Sequence, residues 1–369
     1  MTPEDLRAAV QGGIVTEAQA ASLAALAQAR AGQRAQMPAE DEPFEFFRGF
    51  SEIFISVGML ILLTGAGGLV ALVTSGTVEV LVPAIVALIA WACAYYFTRR
   101  RRMTLPSMVL ALAFGGGLWV MALVAVMQFG ISDRMAILIP GLIAALGMAL
   151  WYRVFRLPFS MLVLGLFALS ALYAATVSEN AVQDMLFLSG HGVDAFFDLR
   201  ESPAFALATL AFGICAFVAG MWFDLRDPYR LGRHAATGFW LHLMAAPALV
   251  NTVALTIYNR GGGQAMAWLS LALLVITLLA LVIDRRSFLT AAISYIAVVV
   301  FWVAGGAEGG MITWTWILIL LGALITAIGT WWVQLRGMIM RLLPDFPGKH
   351  RLPPYSRPPS SRPSEFRPE

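Results

Sequence analysis

The sequence predicts an all-α, polytopic transmembrane helix bundle of about ten spans, headed by a small amino-terminal helical hairpin. Hydrophobic residues make up 59% of the 369 residues and charged residues only 13%, and the mean hydropathy is +0.77. A soluble domain carries about 25% charged residues, because its surface must be hydrated. This chain has too little charge to cover a soluble particle of its mass. The composition therefore excludes a soluble enzyme, a secreted disulfide scaffold and a disordered protein.

The length of the apolar runs is the second observation behind this fold class. A helix needs about 20 mostly apolar residues to cross a bilayer, and runs without alternation are helices rather than barrel strands. The fourth and ninth runs are short enough to merge with a neighbour or to re-enter. The ten runs are 53–73, 80–97, 105–129, 136–152, 157–177, 203–223, 235–258, 265–283, 287–303 and 311–333.

The placement of arginine is the third observation, and it predicts an orientation. Positively charged loops stay in the cytoplasm. With the amino terminus inside, the opposite loops hold three arginines, Arg134, Arg200 and Arg260, and the cytoplasmic loops hold eleven. An even number of spans then puts both termini in the cytoplasm. The eleven are Arg99, Arg100, Arg101, Arg102, Arg153, Arg156, Arg226, Arg230, Arg233, Arg285 and Arg286.

Residues 1–37 are predicted to form a cytosolic helical hairpin. Gly12-Gly13 is typical of a helix end, and Thr16 with Gln19 three residues later is typical of a capping box that starts the next helix. Acidic and basic side chains balance in this segment, whereas a phosphate backbone requires excess positive charge. We therefore expect no nucleic-acid binding, and we expect a cytosolic protein partner if this hairpin binds anything.

Three further segments flank or interrupt the predicted transmembrane domain, 53–333. Residues 38–52 mix acids with phenylalanines and are predicted to lie at the headgroup level. The outer loop, 178–202, is partly apolar and is predicted to lie on the membrane as a lid over the outer mouth. Glycines on both sides of its histidine argue against a metal site there. Residues 334–369 are rich in proline and arginine, which predicts a disordered cytosolic tail.

The spans carry no Asp, Glu, Lys or Arg near their middle. Charges inside a membrane are costly and mark ion or proton pathways. Their absence argues against a proton pump, a carboxylate-based ion-coupled carrier and an intramembrane aspartyl protease. The chain has no HExxH, GxSxG, phosphate-loop or CxxC motif, and no loop shows a convincing cluster of acids, histidine or arginine. The sequence therefore predicts no enzyme, no catalytic residue, no cofactor and no metal.

The polar residues of the seventh span are the first candidates for lining a cavity. His242 lies roughly 10 Å and Asn251 roughly 24 Å from the inner end of that span, and Pro247 frees a backbone carbonyl between them. These residues favour either a gating helix that contacts a solute or hydrogen bonds that fix helix packing.

Two features of the third span complete the candidate set. Gly115, Gly116 and Gly117 would allow another helix to approach closely or would loosen the helix beside a cavity. Gln128, near the outer end, has the same two interpretations as the polar residues of the seventh span.

These features favour a permease or exporter for a small, weakly charged or amphipathic solute, built on two five-helix halves. The alternative is a non-catalytic membrane scaffold or regulator that binds partners through the hairpin and the tail. The expected partners are thus the lipid bilayer, a small-molecule solute and a cytosolic protein.

One resemblance rests on the first twenty residues. Leu6 followed by Gly12-Gly13-Ile14-Val15-Thr16-Glu17-Ala18-Gln19-Ala20 resembles the short cytosolic hairpin that heads a family of predicted bacterial multi-span membrane proteins of unknown function. The resemblance implies an integral inner-membrane protein, and it supplies no catalytic residues.

Overall fold

The computed structural model describes residues 9–16, 19, 23, 49–73, 79–176, 197–227, 233–303 and 311–353. Every regular element in these ranges is a helix, so the all-α class is confirmed for them. The chain divides into two compact units, Met1–Glu42 and Pro43–Glu369, and each is described by itself.

In the first unit, the described residues show both local signals that the sequence predicted. Gly13 adopts φ +68°, and the amide of Ile14 donates to the Ala9 carbonyl at 2.9 Å, which ends a helical turn. The amide of Thr16 donates to the Gln19 side chain at 2.9 Å, and the amide of Gln19 donates to Thr16 Oγ1 at 3.3 Å. The rest of the predicted hairpin, 1–37, and most of segment 38–52 lie outside the described residues.

The second unit contains eleven described α-helices. Helix α2 continues into a π-helical turn, Tyr95–Arg100, and a 3₁₀ turn covers Lys349–Arg351. The helices are α1 (Phe50–Val73), α2 (Leu81–Ala94), α3 (Leu105–Gln128), α4 (Asp133–Phe155), α5 (Ser160–Thr176), α6 (Pro203–Asp224), α7 (Arg233–Tyr258), α8 (Gly262–Ile283), α9 (Arg286–Val303), α10 (Met311–Thr330) and α11 (Trp332–Leu342).

Seven of these helices are long and apolar enough to cross a bilayer, namely α1, α2 with its π-helical turn, α3, α4, α6, α7 and α8. The end of α10 and α11 pass the same test together, which gives up to eight, although they are bent by 69°. Helix α5 is a shorter apolar helix. The described residues thus indicate a multi-pass membrane protein in contact with lipid. The count of about ten spans is not shown and stays a prediction.

The carboxyl-terminal region differs from the prediction of a disordered tail from residue 334. Helix α11 and the turn at Lys349–Arg351 occupy its first part, through Pro353. The reason is that α11 is amphipathic: Trp332 and Met340 are buried against the bundle, so the segment has an apolar face that stabilises a helix. The prediction is corrected for 334–353, and residues 354–369 lie outside the described part of the chain.

Side-chain contacts show that the connections between successive helices lie alternately at two opposite ends of the bundle. At one end, Tyr152 of α4 hydrogen-bonds Thr237 of α7, with 3.3 Å between their hydroxyl oxygens. At the other end, Arg134 Nε donates to the Ala174 carbonyl at 2.7 Å, which joins the start of α4 to the end of α5. The first end carries the loops around 99–102, 153–156, 226–227 and 284–286, and it is called the arginine-rich end below.

Two apolar cores run through the bundle. The first belongs mainly to α1–α5 and contains Trp151 and Leu110, both fully buried. The second belongs to α6–α9 and α11 and contains Leu269, Phe288 and Trp332. Helix α7 contributes to both, with Trp240 in the first and Val250 in the second. This helix therefore connects two separately packed groups.

Glu52 connects two helices of the first apolar core, α1 and α3, at the arginine-rich end. It is 4% exposed, and its Oε2 accepts hydrogen bonds from the amides of Thr104, at 3.1 Å, and Leu105, at 3.0 Å. These amides open α3, and the first amides of a helix have no partner within the helix itself. A carboxylate at this position also interacts favourably with the helix dipole.

We expect Glu52→Ala to lower the free energy of unfolding by about 1–2 kcal/mol, because the amides at the start of α3 lose a buried acceptor. The measurement is unfolding of the purified protein in detergent micelles by added sodium dodecyl sulfate. Glu79→Ala is the matched control, since Glu79 is exposed. Equal stabilities of the two variants would contradict the capping role of Glu52.

Candidate functional site

The candidate site is a group of three buried side chains at the arginine-rich end, Asp224, His242 and Arg285, called the Asp224 cluster below. Asp224 is the last residue of α6, His242 lies in the third turn of α7, and Arg285 directly precedes α9. His242 and Arg285 have no exposed surface, and Asp224 is 7% exposed. Three helices are therefore joined here through charged or ionisable groups.

Asp224 is the acceptor that holds the cluster together. Arg285 Nε donates to its Oδ2 at 3.0 Å, and Arg285 Nη2 donates to its Oδ1, which makes a bidentate pair. Nε2 of His242 lies 3.0 Å from Oδ2 as well. Arg285 Nη2 also donates to the Ala235 carbonyl at 3.1 Å, at the start of α7. Both carboxylate oxygens thus have strong partners away from water.

A tight corner between α8 and α9 aims Arg285 at this carboxylate. Asp284 ends α8 with φ +57°, a left-handed conformation that is common at helix ends. The amide of Arg285 donates back to the Ala280 carbonyl at 2.9 Å, and α9 begins at the next residue. The corner therefore places Arg285, and not Asp284, beside the Asp224 carboxylate.

Two glycines make room for the cluster. A Cβ atom on Gly220 of α6 would lie 2.9 Å from Nε2 of His242, closer than carbon atoms approach in folded proteins. A Cβ atom on Gly238 of α7 would lie 3.0 Å from Cγ of Asp224 and 3.2 Å from the Gly220 carbonyl. Helices α6 and α7 can therefore approach closely at the level of the cluster.

A second buried group, called the Asp284 cluster below, adjoins the first through the same corner. Trp332 Nε1 donates to Asp284 Oδ1 at 2.7 Å, and Arg336 Nε lies 3.8 Å from the same oxygen. Arg336 Nη2 also donates to the Pro353 carbonyl. All three residues of the cluster are less than 5% exposed. Helix α11 and the chain as far as Pro353 are thereby attached to the corner that carries Arg285.

An apolar cavity of about 360 Å³, open at the bundle surface beside the exposed Leu271 and Val275, lies among α7, α8 and α9. Its walls include Val250, Val253, Leu271 and Val275, and Phe288 is also part of its lining. The ring centroid of Phe288 lies 6.0 Å from that of His242. One aromatic ring therefore touches both the cavity and the Asp224 cluster.

The arrangement has two chemical capacities. Arginine keeps its charge at any physiological pH, and removing an ion pair from water is costly unless its geometry is good, so the bidentate pair can hold helix ends together. Because the carboxylate accepts from two donors, it can also lose its hydrogen bond to one of them and keep the other when a helix moves. Among the described residues, no group of three or more His, Cys, Asp or Glu side chains is placed to bind a metal ion.

The structure places the predicted candidates of α7 in three different environments. His242 is fully buried in the Asp224 cluster, Asn251 is half-buried, and Pro247 is exposed within a helix that continues past it to Tyr258. Of this set, His242 is the residue that takes part in a network of ionisable groups.

The candidates of α3 lie elsewhere. A Cβ on Gly115 would meet Phe167 at 2.8 Å, and one on Gly117 would meet the Pro83 carbonyl at 2.8 Å, so both face neighbouring helices closely. Gly116 has no atom within 4 Å of such a Cβ, and Gln128 is exposed at the end of the helix. Whether these residues line a solute path stays a prediction.

Asp224 and Arg285 are the site residues that the sequence did not predict. They lie 61 positions apart, and 18 positions separate Asp224 from His242. The available signal was that Asp224, Asp284 and Arg285 all stand at the inner ends of predicted spans, level with one another. The placement of the arginines predicts orientation, and acids at the same level as an arginine are candidates for buried ion pairs.

No family model, curated protein or solved structure matches the chain. The resemblance of the first twenty residues stays a prediction.

Proposed function

We propose that the protein is a permease or exporter for a small, weakly charged or amphipathic solute, with about ten spans and both termini in the cytoplasm of a bacterial cell. The observation that carries the proposal is the Asp224 cluster, a buried ion pair with an attached histidine at the arginine-rich end of the bundle. Ionisable groups buried in a membrane domain are expensive to keep and usually serve a function.

In this proposal the Asp224 cluster is the inner gate. Its three side chains tie the ends of α6, α7 and α9 together, and the positive-inside rule assigns the arginine-rich end to the cytoplasm. Opening this end requires Asp224 to release Arg285. The cost of separating a buried pair keeps the gate closed until a solute or a helix movement compensates for it.

The cavity among α7, α8 and α9 supports an amphipathic solute. Its described lining is entirely apolar, whereas His242 and Asp224 lie just beyond the Phe288 ring. An apolar part of a solute fits the cavity, and a polar part would then contact the cluster once Phe288 moves. Ligand sites commonly combine apolar walls with a few polar groups.

The proposal is tested by profiling metabolites inside and outside cells that lack the protein, overexpress it, or overexpress Asp224→Asn. We expect at least one small solute to change its distribution with the wild-type protein and to return to the deletion level with the variant. Asp345→Asn is the matched control, since that aspartate is exposed. Wild-type and deletion cells with identical profiles would contradict the permease, provided that the protein is present in the membrane fraction.

A second candidate function is a membrane scaffold, which the division of the chain favours. Met1–Glu42 is a compact unit of its own, as expected for a segment that binds a cytosolic partner. Crosslinking and affinity capture from cells that carry the full chain or a chain without residues 1–37 and 354–369 test this function. A partner bound by the full chain and lost on that deletion would support the scaffold. Identical captures would reject it.

A further inference from the structure

We infer that α11 docks through its exposed face onto the anionic phospholipid headgroups at the membrane surface of the arginine-rich end. The first observation is its direction. Helix α10 is apolar, and α11 follows it after a single residue, Trp331, at an angle of 69°. Where α10 crosses the bilayer along its normal, as the predicted tenth span (311–333) does, α11 lies closer to the plane of the bilayer than to its normal.

The distribution of side chains around α11 is the second observation. Trp331, Met338 and Leu342 are 56%, 55% and 78% exposed. Their spacings of seven and four residues put them on one face at about 100° per residue. The opposite face carries Trp332 and Arg336, which are buried in the Asp284 cluster. The helix thus has one face fixed to the protein and one exposed, mainly apolar face, which also carries Gln334 and has no protein cover among the described residues.

The charges beside the exposed face of α11 indicate which kind of surface covers it. Arg341 is exposed beside Leu342, and Arg351 is exposed in the turn that follows. The acid in this segment, Asp345, is paired with Lys349 at 3.1 Å. The exposed part of the segment is therefore positively charged. An apolar stripe bordered by basic residues is typical of a helix that lies in an anionic membrane surface.

The other face of α11 gives this docking a consequence inside the protein. Trp332 and Arg336 contact Asp284, and Asp284 is adjacent to Arg285 of the Asp224 cluster. Lipid that holds α11 at the surface also holds the corner that positions Arg285. Anionic lipid therefore stabilises the folded bundle and not only the helix that it touches.

The test compares thermal unfolding of the purified full-length protein in two kinds of nanodisc. One contains phosphatidylcholine alone, and the other contains phosphatidylcholine with one quarter phosphatidylglycerol. We expect phosphatidylglycerol to raise the Tm of the wild-type protein by about 2–4 °C. Arg341→Gln should lose most of this rise and should keep the wild-type Tm in phosphatidylcholine, because Arg341 is exposed.

Arg226→Gln is the matched control, because Arg226 is an exposed arginine at the same end that stacks on Trp222 and is not part of α11. It should keep the rise. A second variant, Leu342→Glu, tests the apolar face and should also reduce the rise, since it places an acid against the headgroups. An equal Tm of the wild-type protein in both nanodiscs would overturn the inference, and so would an undiminished rise in Arg341→Gln.

Discussion

Arg285→Met is expected to lower the free energy of unfolding by about 3–5 kcal/mol, because it leaves the buried Asp224 carboxylate without its charged partner. Methionine keeps the unbranched apolar stem of arginine and has no hydrogen-bond donor. The wild-type pair is bidentate, and the Arg285 side chain has no exposed surface, so neither water nor lipid can replace the lost hydrogen bonds without rearrangement. Sodium dodecyl sulfate titration of purified protein in mixed micelles gives the measurement.

Two companion variants make this result specific. Arg226→Met removes an exposed arginine at the same end and should change stability by less than about 0.5 kcal/mol. The double variant Asp224→Leu with Arg285→Met removes both charges. Its free energy of unfolding should fall by less than the sum of the decreases in the two single variants, because no charge is left buried and unpaired. Additive single changes would show that the two residues do not interact as described.

Gly117→Ala should lower the free energy of unfolding by about 1–3 kcal/mol through overpacking. An added Cβ would lie 2.8 Å from the Pro83 carbonyl and 3.2 Å from the Ala87 amide nitrogen. Both are backbone atoms of α2, so no side chain can rotate away to relieve the contact. The whole helix must move, and the same unfolding titration measures the cost.

The neighbouring residue supplies the control. Gly116→Ala has open space around the new methyl group, and alanine is the better helix former by about 1 kcal/mol. We expect this variant to be as stable as the wild-type protein or more stable. If Gly117→Ala behaved in the same way, α2 and α3 would not be packed closely there, which would favour the cavity-lining interpretation of this glycine run.

The helices of the bundle were predictable because a bilayer requires a fixed length of apolar chain. Helix α3 was predicted at 105–129 and is found at Leu105–Gln128, and α6 was predicted at 203–223 and is found at Pro203–Asp224. Helix α11 was not predicted, because its apolar residues follow a helical face rather than a continuous run. A search for uninterrupted hydrophobicity does not detect such a segment.

The Asp224 cluster was hidden for a different reason. Its residues come from three helices, and their contact depends on how those helices pack, which the hydrophobic pattern of each helix does not specify. His242 was singled out as a buried polar residue of α7, but the sequence does not give its partner. The contact of Glu52 with the start of α3 likewise depends on packing between α1 and α3.

The corner between α8 and α9 limits which insertions the protein can tolerate. Asp284 faces α11, and Arg285, the next residue, faces α6 and α7. Inserting one residue at this position would turn the side chains that follow by about 100° and remove one or both ion pairs. Loop insertions are usually among the mildest changes in a membrane protein. Here we expect an insertion to be as harmful as losing Arg285, so related sequences should keep this connection at constant length even where its other residues differ.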